Sequence, residues 1–62
     1  MKITELEVKS WETALYVLTN AVNEALGTKL DFRENSFEVD RLACMLGVEF
    51  DEQGIITGGM TV

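Results

Sequence analysis

Apolar residues fall at Trp11, Ala14, Leu15, Leu18, Ala21, Val22, Ala25 and Leu26. Spacings of three and four repeat there over four turns, which predicts a helix from about residue 10 to residue 26. Ser10 is placed to cap it, Glu12 lies in the first turn where the helix dipole favours an acid, and Gly27 ends it. Upstream the period shortens to two. Thr4, Leu6 and Val8 alternate with Glu5 and Glu7, which predicts a strand over residues 3–8, although Thr4 and Glu7 also fit a helical capping box. A second helical pattern spans Ser36 to Leu46. Val39, Leu42, Ala43 and Leu46 form its inner face, Asn35 and Glu38 its capping box, and Phe37 is expected to pack near its start. Glu38 and Arg41 point outward and can pair at three-residue spacing, and Gly47 terminates the helix. The segment "TKLDFREN", residues 28–35, is either a short strand or a loop with Leu30 and Phe32 turned inward. Beyond Gly47, Val48 and Phe50 alternate with Glu49 and Asp51, and Ile55 and Ile56 follow. That predicts a β-hairpin over 48–57 with its loop at Glu52 and Gln53, and Gly54 free to take a positive φ. Gly58 and Gly59 interrupt the pattern, and residues 60–62 read as a frayed end.

These elements predict an α+β fold in which two helices pack on a small antiparallel sheet with a C-terminal β-hairpin, the segment 3–8 adding a strand. Trp11, Leu15, Leu18, Val22, Leu42, Leu46, Phe50 and Ile56 are the expected core. Sixty-two residues suffice for one compact domain, 1–62. A core of that size stabilises the fold by only about 3–5 kcal/mol net. Cys44 is the sole cysteine, so no disulfide closes within the chain, in keeping with a reducing, cytoplasmic setting. The first ten residues carry no apolar run of the signal-peptide kind, and no stretch has the apolar length of a membrane span.

Charge alters the picture more than any motif. Eleven acids against five bases give a net charge of −6. Such a chain is repelled by nucleic acid and by anionic membranes and attracted to basic surfaces. Histidine is absent, no Cys/His cluster offers a metal site, and no glycine-rich phosphate loop precedes a helix. The expectation is therefore a non-enzyme without metal or cofactor.

One short run points the other way. In "DRLACMLGVEFDEQG", Leu42, Ala43, Leu46, Gly47 and Val48 stand where helix-turn-helix DNA readers often carry "LAxxLGV". The reading helix would then begin near Asp51 and present Asp51, Glu52 and Gln53 to the bases. Gly54, the Ile55–Ile56 pair and Gly58–Gly59 disfavour that helix. Between Glu34 and Glu52 stand six acids and one base, Arg41, a net of −5, so phosphate contacts are almost lacking. A degenerate helix-turn-helix DNA binder remains only an alternative.

The same acids suit a decoy. On a strand, Glu49 and Asp51 would point to one face about 6.6–6.8 Å apart, roughly twice the 3.4 Å phosphate spacing along a DNA strand. Glu5 and Glu7 would extend that face if residues 3–8 pair with the hairpin. In size, acidity and lack of catalytic groups the whole chain resembles small, acidic, phage-encoded inhibitors of the anti-CRISPR type, a likeness carried by no diagnostic motif. The resemblance implies an inhibitor in the host cytoplasm. It would bind a basic, nucleic-acid-binding surface of a host protein complex, such as a CRISPR effector subunit, and make no direct contact with nucleic acid. The expected contact residues are Glu34, Asp40, Glu49, Asp51 and Glu52, with Tyr16 as a second anchor and the monomer as the favoured state. A further alternative is a small homodimeric structural or regulatory protein that uses the uncharged helix face of Thr13, Tyr16, Asn20 and Asn23.

Overall fold

The 3.6-residue period produces its two helices. In a computed structural model that describes residues 1–59, α1 spans Val8–Leu26 and α2 spans Ser36–Leu46. Each ends on a glycine in the left-handed conformation, Gly27 and Gly47. The hairpin forms as well, with β1 at Glu49–Phe50 and β2 at Ile56–Gly58, paired antiparallel. Glu49 faces Gly58 and Phe50 faces Ile56, so Thr57 is an extra residue on β2 and the ladder bulges there. Two helices packed against a two-stranded antiparallel sheet make an α+β arrangement. The frayed end expected at residues 60–62 lies outside the described residues.

The expected strand over residues 3–8 does not form. Ile3–Glu5 make a single 3-10 turn, closed by the Glu5 carboxylate accepting from the Lys2 backbone N–H at 2.7 Å. From Val8 the chain is already helical, with Glu7 at the N-cap. Alternation misled because Val8 is 73% exposed and serves no buried face. Met1, which precedes that segment, bonds to the hairpin instead. Its carbonyl accepts from Phe50 N–H at 2.7 Å and its amino group donates to the Phe50 carbonyl at 2.6 Å. Ser10 consequently caps nothing. It sits inside α1 and its hydroxyl donates to the Glu52 carbonyl at 2.6 Å, tying the helix to the hairpin loop.

The core comprises Ile3, Ala14, Leu15, Leu18, Val22, Val39, Ala43, Val48 and Phe50. Leu6, Trp11, Leu30, Phe32 and Ile56 pack around it half-buried. Five expectations fail at its rim. Leu46 is 37% exposed, Trp11, Leu42 and Ile56 are only half-buried, and Phe37 lies in solvent instead of packing near the start of α2. The inward arc of α2 is narrow, centred on Val39 and Ala43, so Leu46 falls at its edge and Phe37 opposite it. Residues 28–35 form a loop with turns, not a strand. Asn23 holds that loop: its amide donates to the Leu30 carbonyl at 3.0 Å and accepts from Leu30 N–H at 2.9 Å. The capping box expected at Asn35 and Glu38 is also absent, because Asn35 turns its Oδ1 back to accept from Asp31 N–H at 3.1 Å.

The hairpin loop is where sequence and geometry agree most closely. Asp51 N–H donates to the Ile55 carbonyl at 2.9 Å and Gly54 N–H to the Asp51 carbonyl at 3.0 Å. Gly54 takes φ +88°, the left-handed residue that ends a three-residue hairpin loop. A Cβ on Gly54 would also overlap the Ser10 carbonyl oxygen and come within 2.9 Å of Ala14 N. Both the turn and the seating of the loop on α1 therefore require glycine.

Candidate functional site

The eleven carboxylates divide into two groups. Five accept hydrogen bonds or an ion pair from the fold itself. Glu5 closes the N-terminal turn. Asp31 accepts from Arg33 N–H at 2.8 Å. Asp40, half-buried on α2, accepts from the Trp11 indole N–H at 2.7 Å and links the two helices. Glu49 stands 3.5 Å from the Met1 amino group. Asp51 accepts from Gln53 N–H at 2.8 Å and Ile55 N–H at 3.0 Å, which braces the hairpin loop. The remaining six, Glu7, Glu12, Glu24, Glu34, Glu38 and Glu52, are all exposed. All three aspartates belong to the first group; for Asp31 and Asp51 the reason is that a short carboxylate reaches backbone N–H groups two to four residues ahead without losing much rotamer freedom.

Among the described residues, no Lys or Arg pairs with any of these acids; the one ion pair is between Met1 and Glu49. The expected Glu38–Arg41 pair does not form. Arg33 instead lies over the Phe32 ring, 5.3 Å from its centre. A bond from an indole or a backbone amide leaves the acceptor's charge in place, so Asp40 and Asp51 still contribute to the negative field. Only Glu49 faces a cation.

The expected contact residues occupy different parts of the surface. Asp51 and Glu52 line one open hollow of ≈ 550 Å³ with Met1, Phe50 and Gln53. Asp40 lines another, of ≈ 390 Å³, with Phe37, Glu38 and Arg41. The two have no lining residue in common. Glu34 is exposed in the loop before α2, and Tyr16 stands edge-on to Phe32 with ring centres 5.4 Å apart. Because residues 3–8 are not a strand, Glu5 and Glu7 add no row of acids beside Glu49 and Asp51.

The uncharged helix face is partly committed to the fold. Asn23 holds the inter-helix loop, and the Thr13 hydroxyl donates to the Lys9 carbonyl at 3.2 Å. Beyond Gly47 the described chain is a hairpin, so no second helix follows α2 as a helix-turn-helix reader needs. Sequence reasoning missed Phe37 as a surface residue. The signal for it was its place opposite Val39 and Ala43 on the helical wheel. Comparison with protein-family models, with curated proteins and with solved structures finds no match to this chain. No helix among the described residues is long and apolar enough to cross a membrane.

Proposed function

We propose that the chain is a non-catalytic inhibitor that binds a basic surface on another protein, of the kind that otherwise holds nucleic acid. One observation carries the reading: six exposed glutamates, together with Glu5 and the three aspartates, which are bonded only to uncharged donors, stand unneutralised by the chain's own lysines and arginines among the described residues. Exposed acids left without counter-charges are attracted over distance to a cationic surface, and opposing potentials raise association rates and select partners. The acids lie on more than one part of the molecule. That favours engagement of a broad cationic cleft over mimicry of a single phosphate row. The resemblance to small phage inhibitors names a partner class, a nucleic-acid-binding subunit of a CRISPR-type effector.

The test is a pull-down from host lysate with mass spectrometry, comparing the wild type with a Glu34→Gln, Glu52→Gln variant. The expected partner is a basic nucleic-acid-binding protein, released by raised salt and displaced by duplex DNA, and held less well by the variant. The chain alone is expected not to shift DNA at low salt. A captured partner without a basic surface, or a complex indifferent to salt and to added DNA, rejects the reading.

A further inference from the structure

We draw no further inference here: the strongest candidate, the line of exposed apolar side chains that Phe37 and Met45 make on the outward face of α2 beside the hollow walled by Phe37, Glu38, Asp40 and Arg41, is an unpartnered face, and nothing in the structure shows what covers it.

Discussion

The side chain of Asp51 shows how little a residue type alone says about its task. It sits beside Glu52 in the chain and has the same charge, yet its oxygen accepts two backbone N–H groups while Glu52 is exposed. Asp51→Ala is expected to destabilise the fold by about 1–2 kcal/mol, with Asp51→Asn retaining most of the stability and Glu52→Ala staying within about 0.5 kcal/mol, all read by urea denaturation. Equal effects at the two sites would mean the turn bonds contribute nothing. Asp51 was legible in part, since an aspartate opening a four-residue turn that ends in glycine is ordinary turn chemistry. Asp40 was not, because its partner, Trp11, is twenty-nine residues away and only packing brings them together. Thr19 is the opposite case. Its hydroxyl is buried in α1 with no hydrogen-bond partner among the described residues. Thr19→Val removes an unsatisfied polar atom at nearly constant shape and is expected to raise stability by about 1 kcal/mol, seen as a higher thermal midpoint.

At the scale of elements, two junctions hold the fold together. The first is the indole–carboxylate bond between α1 and α2. A double-mutant cycle with Trp11→Phe and Asp40→Ala isolates it, and a coupling of about 1–2 kcal/mol is expected after the lost Trp volume cancels. The second is the seat of the hairpin loop on α1 at Gly54. Gly54→Ala meets both a positive φ and the Ser10 carbonyl, and is expected to cost about 2–4 kcal/mol. Gly58→Ala, with open space around its Cβ, is the control and should change little. The boundaries of α2 were legible because the apolar spacing and Gly47 agree. The start of α1 was not. The alternation over residues 4–8 is short, and a run that short cannot separate a strand from the lead-in to a helix. Core membership failed for a related reason. The buried arc of α2 is set by how deeply the helix sits against α1, a quantity its own pattern does not contain.

The whole molecule is small, with extents of 28 × 24 × 16 Å. At about 0.01 M salt, where the Debye length is about 30 Å, every charge on it feels every other. A charge of −6 in that volume repels itself, and salt relieves the repulsion in the folded chain more than in the expanded one. Raising NaCl from about 0.02 M to about 0.5 M is therefore expected to raise the urea midpoint, by about 1 kcal/mol in stability. A falling midpoint would mean that attractive pairs dominate the surface after all. The division of the carboxylates has an evolutionary corollary. The acids that brace the fold are one group and those exposed without a bond are another, so substitutions that alter the surface field and substitutions that alter foldability fall on different codons. The six exposed glutamates can therefore drift or be exchanged without repeatedly rescuing a weakened core.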